Sequence, residues 1–470
     1  MKFSKSQTAA YGLGAVGKDM VYALSSAYVM YYYNQILGLS AGFVGLILMI
    51  ARVFDAVNDP FMGIVVAKTR TKWGKFRPWI LSGSVLNAFV LYALFAVPKG
   101  LANGGLKAYF AIIYILWGVT YTMMDIPYWS LIPAVTSEPA DRESMSVVGR
   151  TCAGVGNALI TVFAMRSVQM IGGGIDKASE RTGFAWIALI VAVVFVIAEA
   201  ILFFAVREKP ADKQETTEAT SIGDMFRTLF ANDQAMVVVL TIVLINTALY
   251  ITSNLLIYFF KYDVGGADWA SSHMIFNMVG GASQILAMML LYPLLRKMKM
   301  KNESIFRLCL ILEITGYALI LIACFTGLAN NMLVICGAGL LVFLANGILT
   351  VLTTVFLSAT VDYGELKTGK REESVIFSMQ TFVVKLASGL AVFLCGIGLD
   401  MIGLVGDDST EGAIVAQSAS TINGLRLLMT VLPIIGLFCA MFLFRKKFLL
   451  TDEKIVSMSS DLASARGTKE

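Results

Sequence analysis

Long apolar runs alternate with short polar connections along the whole chain. Twelve of these runs are long enough to cross a bilayer as a helix, which takes about 17–25 residues. The runs cover approximately residues 9–34, 42–67, 79–98, 108–135, 147–171, 184–206, 234–261, 269–295, 305–326, 332–361, 375–403 and 421–444. The pattern therefore predicts an all-α membrane protein with twelve transmembrane helices.

The longest polar connection, residues 207–233, divides the runs into two groups of six. A weak internal echo supports this division, because DRESMSVVGR (Asp141–Arg150) follows the fourth run and REESVIFSMQ (Arg371–Gln380) follows the tenth. Two six-helix halves with a cytoplasmic linker are typical of the major-facilitator fold, in which the substrate site lies between the halves near the bilayer midplane. We expect a six-helix half over 1–206, the linker over 207–233, a six-helix half over 234–445 and a cytoplasmic tail over 446–470.

Composition and charge agree with a membrane location. Of the 470 residues, 57% are hydrophobic and 15% are charged, and the mean hydropathy is +0.74, whereas soluble domains contain about 25% charged residues. Most of the 37 Lys and Arg residues fall in the N-terminus, alternate connections and the tail, which the positive-inside rule assigns to the cytoplasm. Both termini are thus predicted to be cytoplasmic, and the net charge of +5 does not indicate a nucleic-acid partner. Only five basic residues lie in the opposite connections: Lys99, Lys107, Lys177, Arg181 and Lys261.

Residues that enzymes and metal centres require are scarce. His273 is the only histidine, which removes most zinc, haem and Ser-His-Asp chemistry. The six cysteines lie in apolar runs without a CxxC spacing, and we interpret them as small packing residues. The chain contains no HExxH, its one GxSxG match (GLSAG, Gly38–Gly42) occurs in a chain with a single histidine, and the polar tail after Arg445 is too short for a signalling domain. The sequence therefore predicts neither an enzyme nor a sensor, and no cofactor.

The second run contains polar residues in the stretch ARVFDAVNDPFMG. Asp55 and Asp59 are four residues apart and Asn58 is three from Asp55, so the three side chains share one face of a helix. Two carboxylates so close repel each other, and carboxylate and amide oxygens are the ligands that a small hard cation prefers. We interpret this face as the site of a coupling cation. The alternative is a structural ion pair of these acids with Arg52, one turn earlier, or with Lys385.

The fourth run contains an aromatic–acid–aromatic stripe, because Tyr121, Asp125 and Trp129 recur at intervals of four. A carboxylate accepts two hydroxyl groups and an aromatic ring covers an apolar face, a combination that suits a sugar. The alternative for the two aromatic residues is an interfacial belt. Thr122 would turn its hydroxyl towards the acids of the second run if the two helices are neighbours.

Three further runs carry charges well inside the membrane. Lys18 and Asp19 lie in the first run, which we therefore interpret as a spanning helix and not as a cleaved signal peptide. Because adjacent residues on a helix diverge by about 100°, we expect these two to contact different partners. Arg150 in the fifth run is a candidate counter-charge for Asp19 or Asp125. Lys385 in the eleventh run has a stem long enough to reach the acids of the second run from the other half.

Six stretches resemble the glycoside–pentoside–hexuronide:cation symporters: YGLGAVGKDM, YYYNQILGLS, ARVFDAVNDPFMG, TRTKWGKFRPW, YILWGVTYTMMDIPYWS and VDYGELKTGK. The resemblance covers nearly the whole chain and is densest in the first four runs. It implies a major-facilitator fold with alternating access, in which one sugar moves with one cation, Na⁺, Li⁺ or H⁺. The matching motifs imply cation ligands at Asp55, Asn58, Asp59 and Thr122. They imply sugar contacts at Lys18, Asp19, Tyr121, Asp125, Trp129 and Arg150, with Gln380, Thr381 and Lys385 lining the same cavity.

One departure from the family concerns the tenth run, where melibiose carriers have a tryptophan and this chain has Thr350. We expect symport of a glycoside such as melibiose or another galactoside, coupled to Na⁺ because Asn58 supplies an amide. The alternative is a proton-coupled pentoside or glucuronide symporter, since Arg150 and Lys18 would pair with a uronate. A carrier of lipid headgroups is a more distant alternative. The expected partners are the sugar, a monovalent cation and membrane lipid, for a monomer in the bacterial inner membrane.

Overall fold

The structure, a computed structural model, describes residues 5–135, 139–208, 230–368, 373–405, 415–455, 457–458 and 461. Within these ranges the description leaves out the side chains of residues 56, 57, 60, 64, 67, 133, 139–144, 146, 147, 267, 368 and 373–381. The predicted substrate contacts Gln380 and Thr381 fall in the last of these ranges, so their side chains lie outside the described residues.

The described part of the chain is built from α-helices. Short π-helical segments continue three of them, at Tyr32–Ile36, Phe260–Val264 and Ala287–Leu291. The α-helices are α1 (Lys5–Tyr31), α2 (Ala41–Lys68), α3 (Arg77–Phe95), α4 (Asn103–Val135), α5 (Pro139–Gly172), α6 (Lys177–Ala205), α7 (Asp233–Phe259), α8 (Trp269–Leu286), α9 (Tyr292–Lys297), α10 (Asn302–Phe325), α11 (Met332–Thr368), α12 (Glu373–Met401) and α13 (Ala419–Lys447).

Ten helical stretches in the described ranges are long and apolar enough to cross a membrane. They lie in α3 to α8 and in α10 to α13, and the stretch in α8 continues through α9. Helices α1 and α2 have comparable lengths of 27 and 28 residues. The prediction of an all-helical membrane protein is confirmed.

The chain divides into two compact units. The first comprises Met1–Ala219 and Gly396–Gln417, and the second comprises Thr220–Cys395 and Ser418–Glu470. In the first unit, α1 packs against α5 and α6, and α4 packs against α2 and α3. In the second unit, α7 packs against α13, and α11 packs against α8 and α10. The first unit thus brings together the helices that carry most of the predicted site residues.

Glycines set how closely α1 approaches its neighbours. Gly156 of α5 faces the backbone carbonyl of Val16 in α1, and Gly17 of α1 faces the backbone of Phe195 in α6. A Cβ atom at Gly156 would lie 2.3 Å from the Val16 carbonyl oxygen and would collide with it, and one at Gly17 would make a tight contact of 3.1 Å with Phe195 Cα. Membrane helices pack through such small residues because lipid tails are as apolar as the helices themselves. The close packing holds α1, with Lys18, firmly against α5 and α6.

Candidate functional site

The ammonium group of Lys18 joins two acidic side chains in the first unit. Lys18 Nζ lies 2.7 Å from Asp125 Oδ1 of α4 and 3.0 Å from Asp19 Oδ2 of its own helix. The expectation that Lys18 and Asp19 contact different partners is wrong, because the flexible four-carbon stem lets the ammonium bend back to its neighbour. Lys18 also donates a hydrogen bond to the Tyr121 hydroxyl, at 3.4 Å. Four predicted sugar-binding residues therefore form one cluster.

Burial in this cluster is uneven. The Lys18 side chain is 4% exposed, whereas the side chains of Asp19 and Asp125 are 19% and 29% exposed. A buried ammonium needs counter-charges and hydrogen bonds to offset its desolvation, and the two carboxylates supply them. Because two acids share one cation, the more accessible side of the cluster keeps acceptor oxygens. Those oxygens are suited to accept hydrogen bonds from hydroxyl groups.

Trp129 and Arg150 extend the cluster towards its accessible side. Trp129 Nε1 donates to Asp125 Oδ1 at 3.2 Å, and the Arg150 guanidinium lies 4.6 Å from the centroid of the Trp129 ring. Arg150 is exposed, and no carboxylate of the described side chains lies within ion-pair distance of it. Arg150 is therefore not at ion-pair distance from Asp19 or Asp125, but its charge acts on the Asp19 carboxylate, which supports the predicted counter-charge at longer range, beside a cation–π contact with Trp129.

Two tyrosines to which sequence analysis assigned no role fasten α1 to α4. The Tyr128 hydroxyl donates to the Tyr11 carbonyl at 2.7 Å, and the Tyr11 hydroxyl donates to the Tyr128 carbonyl at 3.3 Å. Their rings stack with centroids 4.5 Å apart, and both are fully buried. Tyr11 lies two helical turns before Lys18, and Tyr128 lies one turn after Asp125, so each shares the face of its charged neighbour. The helical spacing of Tyr11 from Lys18 and of Tyr128 from Asp125 is the sequence signal that could have predicted this contact.

The predicted cation ligands form a second cluster, between α2 and α4. Thr122 Oγ1 of α4 donates to Asp59 Oδ1 of α2 at 3.2 Å, so the predicted approach of this hydroxyl to the acids is confirmed. Gly118 lies one turn before Thr122 and faces Asp55, because a Cβ atom at Gly118 would lie 2.7 Å from Asp55 Oδ1. The Asn58 Nδ2 atom is buried without a hydrogen-bond partner among the described residues.

The donor set of this cluster suits an alkali cation. Two carboxylates, an amide and a hydroxyl are hard oxygen ligands. Within the described ranges, no group of three or more His, Cys, Asp and Glu side chains is placed to hold a metal ion.

A row of contacts connects the two clusters. Arg52 Nη1 lies 3.6 Å from Asp55 Oδ2, and the Arg52 guanidinium lies 5.4 Å from the ring centroid of Tyr22. The Tyr22 ring lies 5.6 Å from the Tyr121 ring, and Tyr121 accepts the hydrogen bond from Lys18. Arg52 is thus a partner of the cation cluster, in agreement with the predicted charge pair. Tyr22, one turn after Lys18, is a connecting residue that the sequence did not single out.

The predicted cavity residues of the eleventh run belong to the second unit. Lys385 lies half-buried on α12. Its proposed pairing with the acids of α2 stays a prediction. Thr350, at the position of the family's tryptophan, is exposed on α11, and its hydroxyl donates to the Asn346 carbonyl at 2.9 Å. No bulky side chain therefore occupies that position.

Glu199 of α6 is a buried acid close to the Lys18 cluster. Its side chain is fully buried, and neither carboxylate oxygen has a hydrogen-bond partner among the described residues. Gly14 of α1 makes room for it, because a Cβ atom at Gly14 would lie 3.3 Å from Glu199 Oε2. Sequence analysis did not assign this residue, since a single acid in an apolar run has no local partner to reveal it.

The overall fold matches solved membrane transporters. A bacterial homologue of the human lysosomal transporter Spinster matches with a TM-score of 0.63 at 13% identity, covering 94% of this chain and 97% of that one. A proton-dependent oligopeptide transporter matches with a TM-score of 0.66 at 13% identity, covering 97% of this chain and 100% of that one. At such low identity the likeness concerns the fold alone. The chain therefore shares the fold of these two proteins.

Sequence comparison shows the family to which the chain belongs. Residues 10–451 match a family model described as MFS/sugar transport protein. The inner membrane symporter YicJ of Escherichia coli (strain K12) is 28% identical over 460 residues, covering 97% of this chain and 94% of the relative. The isoprimeverose transporter of Lactiplantibacillus pentosus is 28% identical over 432 residues, covering 92% and 86%. The raffinose carrier protein of Pediococcus pentosaceus is 26% identical over 472 residues, covering 98% and 72%.

This chain belongs to the glycoside–pentoside–hexuronide:cation symporters of the major facilitator superfamily. The predicted family is thereby confirmed. Members of this family are transporters and not enzymes. With its apolar helices, the chain is a multi-pass protein of a bacterial inner membrane.

Proposed function

We propose that this protein carries a glycoside into the cell together with Na⁺ by alternating access, and that Li⁺ or H⁺ are further coupling cations. The observation that carries this proposal is the adjacency of two clusters in the first unit. One is the Lys18–Asp19–Asp125 group beside Trp129, and the other is the oxygen cluster between α2 and α4. The contacts through Tyr22 and Tyr121 join them.

We infer that α1 and α2 also cross the membrane, which brings the total to twelve spans. At about 1.5 Å per residue, helices of 27 and 28 residues exceed the roughly 30 Å of a bilayer core. Their charged residues form ion pairs, Lys18 with Asp19 and with Asp125 of α4, and Arg52 with Asp55 in α2 itself, as intramembrane charges do. The excess of basic residues in alternate connections supports cytoplasmic termini. We expect the protein to act as a monomer.

In this proposal the sugar binds at the accessible side of the Lys18 cluster. Asp19 and Asp125 accept hydrogen bonds from sugar hydroxyls, and the apolar face of the sugar ring packs on Trp129. Arg150, held against the same indole, donates to ring or hydroxyl oxygens. Tyr121 completes the wall, and Gln380 and Thr381 are expected to contribute from the other half. Lys18 holds the two acids in place and is neutralised by them.

The sugar is proposed to be a galactoside such as melibiose, or a related oligosaccharide. Relatives named for raffinose and isoprimeverose support an oligosaccharide substrate. The exposed Thr350 leaves the position of the family's tryptophan open, which favours a sugar shaped differently from melibiose at that end. The choice among galactosides therefore depends on the part of the site near Thr350.

Na⁺ is proposed to bind at Asp55, Asn58, Asp59 and Thr122. An arriving cation competes with Arg52 for Asp55, and it turns the Thr122 hydroxyl from a donor to Asp59 into a ligand. Arg52 then shifts against Tyr22, which transmits the change to Tyr121 and the sugar cluster. Lys385 is the proposed second competitor for the same acids in the cation-free carrier. Linkage requires that Na⁺ tighten sugar binding and that sugar tighten Na⁺ binding by the same factor.

Reconstituted protein tests the proposal. Proteoliposomes with an inward Na⁺ gradient are expected to concentrate a radiolabelled galactoside, and each 100 mV of membrane potential adds about 2.3 kcal/mol per charge moved. Asp59→Cys is expected to abolish the Na⁺-driven accumulation of sugar while leaving measurable sugar transport down the sugar's own gradient. If Asp59→Cys retained full stimulation by Na⁺, the assignment of the cation site would be wrong.

The second candidate is a proton-coupled pentoside or glucuronide symporter. It is favoured by one observation: exposed Arg150 has no carboxylate at ion-pair distance among the described side chains, so a uronate would supply one. Uptake of galactosides, xylosides and glucuronides at fixed pH, with and without Na⁺, separates the two candidates. Stimulation of a glucuronide by acid alone would select the second.

A further inference from the structure

A cleft of about 500 Å³ lies at one end of α3 and α6, away from the sugar and cation clusters. The end of α3 and the segment after it form one wall, and the first two turns of α6 form the other. None of the predicted sugar or cation ligands lines the cleft. Its principal lining residues are the basic Lys99, Lys177 and Arg181 and the apolar Ile36, Phe95 and Val97.

The described carboxylates do not neutralise the basic side chains of the cleft. Three of the five basic residues predicted on the outer face converge here, although Lys99 is far from Lys177 and Arg181 in sequence. No carboxylate in the described ranges forms an ion pair with any of the three. By contrast, Arg296 at the end of α9 forms an ion pair with Asp452, and Lys301 just before α10 forms one with Glu453.

The orientation of Arg181 is fixed by backbone groups. Its Nη2 atom donates to the Val97 carbonyl at 2.6 Å and to the Pro98 carbonyl at 3.3 Å. Neutral carbonyls hold the guanidinium in position without cancelling its charge. The cleft therefore contains one anchored cation and two more on longer, more mobile stems.

The nearest acids in sequence are engaged elsewhere. Asp176 caps α6 by accepting hydrogen bonds from the backbone N–H groups of Ala178 and Ser179 and from the Ser179 hydroxyl. The hydrogen bond from the Ser179 side chain, followed by the one from its backbone, holds the pKa of Asp176 below its usual range. Glu180 is buried and accepts from the Tyr31 hydroxyl at 2.7 Å and the Gln169 amide at 3.2 Å. Neither carboxylate lines the cleft.

An exposed apolar strip leads away from the cleft along α6. Ala185, one turn after Arg181, lines the cleft, and Leu189, Val193 and Ile197 continue the same side of the helix at intervals of four. These three side chains are 36%, 49% and 54% exposed. The neighbouring α3 is similarly apolar and exposed before the cleft, with Phe89 at 71%. The surface next to the cationic cleft is thus suited to contact hydrocarbon.

We propose that this cleft binds the phosphodiester headgroup of an anionic phospholipid, with its acyl chains along the exposed strip of α6 and α3. Unpaired cations recognise the phosphate, and Arg181 with its fixed guanidinium makes the directional contact. The apolar strip argues for a lipid over a free phosphate ion, because an ion would use only the basic end. Basic pockets between transmembrane helices on the cytoplasmic side bind anionic headgroups, and this cleft offers the same chemistry on the predicted outer face.

Lipid titration of the purified full-length protein tests this site. Binding of phosphatidylglycerol in detergent is measured by native mass spectrometry for the wild type and for the double variant Lys99→Gln/Lys177→Gln. Each lysine is expected to contribute about fivefold to the apparent affinity, roughly 1 kcal/mol, so the double variant should lose about 25-fold. Lys107→Gln is the matched control, since Lys107 belongs to the same predicted face but does not line the cleft.

A second variant and a second ligand separate the outcomes. Arg181→Lys keeps the positive charge but loses the planar guanidinium with its several N–H donors. It is expected to weaken phosphatidylglycerol binding less than Arg181→Gln does. An equal loss in the Lys107→Gln control would show general attraction to a basic surface and would overturn the site. Unchanged binding by the double variant would overturn it as well. If inorganic phosphate bound to the wild type and not to the double variant, while phosphatidylglycerol binding was the same in both, the ligand would be a free anion and not a lipid.

Discussion

Lys18 and Asp125 form the shortest ion pair of the candidate site, with 2.7 Å between Nζ and Oδ1. The same Oδ1 atom accepts the hydrogen bond from Trp129 Nε1 at 3.2 Å. Both described partners of Asp125 therefore use one oxygen, and Oδ2 is left for a ligand. In the proposed sugar site, an acid held on one side by Lys18 and Trp129 keeps its other side for a ligand in a defined direction.

Replacing Lys18 by glutamine is expected to lower sugar affinity by at least about tenfold. Without the ammonium, Asp19 and Asp125 are two partly buried carboxylates that repel each other, and breaking a buried ion pair costs about 3–5 kcal/mol. Sugar binding to the purified variant, followed by fluorescence or calorimetry, checks the affinity. Thermal unfolding of the same sample reports the loss of stability.

The double variant Lys18→Gln/Asp19→Asn is the control for this prediction. It removes one of the two repelling charges, so stability should recover in part relative to Lys18→Gln alone. If the single variant bound sugar as tightly as the wild type, Lys18 would not position the acids.

Thr122→Val is expected to weaken Na⁺ binding by about tenfold, because the variant lacks the hydroxyl oxygen that is proposed to be a cation ligand. Thr122→Ser keeps the hydroxyl that lies 3.2 Å from Asp59 Oδ1 and should stay near the wild type. The measurement is the Na⁺ concentration that gives half-maximal stimulation of sugar binding. Wild-type Na⁺ binding by Thr122→Val, with or without a loss in Thr122→Ser, would show that the hydroxyl oxygen is not a cation ligand.

Gly118→Ala is expected to disturb the cation cluster specifically. The added Cβ atom would lie 2.7 Å from Asp55 Oδ1, so the carboxylate or α4 must shift. We expect several-fold weaker activation by Na⁺, with sugar binding at saturating Na⁺ less affected. Gly154→Ala is the matched control, because nothing lies within 4 Å of a Cβ atom there. Similar losses in both variants would contradict a role for Gly118 at Asp55.

The helical spacing of residues was enough to predict which side chains of α2 and α4 lie close together. Asp55, Asn58 and Asp59 share a face by their intervals of three and four, and Thr122 does approach Asp59. Spacing could not predict the Lys18–Asp19 pair, since side-chain torsions of a long stem override the 100° between neighbours. It also could not predict Arg150, because stacking on Trp129 depends on how two helices pack.

Contacts and cavities formed by residues that are distant in the chain could not be predicted from the hydrophobic and polar pattern. The space at Gly118 depends on the approach of α2, and the cleft depends on Lys99 meeting the start of α6. Glu199 is buried because Gly14 lies opposite it on another helix. In each case the local sequence is an ordinary apolar run or polar connection, and only tertiary packing gives the residue its surroundings.

Tyr22→Leu is expected to reduce coupling more than it reduces binding of either ligand alone. The Tyr22 ring lies 5.4 Å from the Arg52 guanidinium and 5.6 Å from the Tyr121 ring, so it is the contact between the two clusters. The factor by which Na⁺ tightens sugar binding should fall several-fold, and the reciprocal factor must fall equally. Titrations of sugar with and without Na⁺, and of Na⁺ with and without sugar, measure both. Tyr22→Phe keeps the ring and should retain the coupling. If Tyr22→Phe lost the coupling as Tyr22→Leu does, the hydroxyl and not the ring would connect the two clusters.

Asp400→Ala is expected to loosen the first turn of α2. The Asp400 carboxylate accepts hydrogen bonds from the Ala41 and Gly42 N–H groups at 3.0 and 2.8 Å and from the Ser40 hydroxyl at 2.8 Å. These are N-terminal groups that α2 cannot satisfy within itself, and an anion there also interacts well with the helix dipole. Loss of a cap costs about 0.5–2 kcal/mol, so amide exchange in residues 41–44 should accelerate by about 2- to 30-fold.

Hydrogen exchange followed by mass spectrometry measures this effect, and Asp176→Ala is the matched control. Asp176 caps α6 in the same way, by accepting from Ala178 and Ser179, so its loss should accelerate exchange at the start of α6 and leave α2 unchanged. Because α2 carries Asp55 and Asp59 three to four turns further on, Asp400→Ala should also weaken Na⁺ activation slightly. Unaltered exchange at residues 41–44 would mean that Ser40, which accepts from Phe43, is sufficient to cap the helix alone.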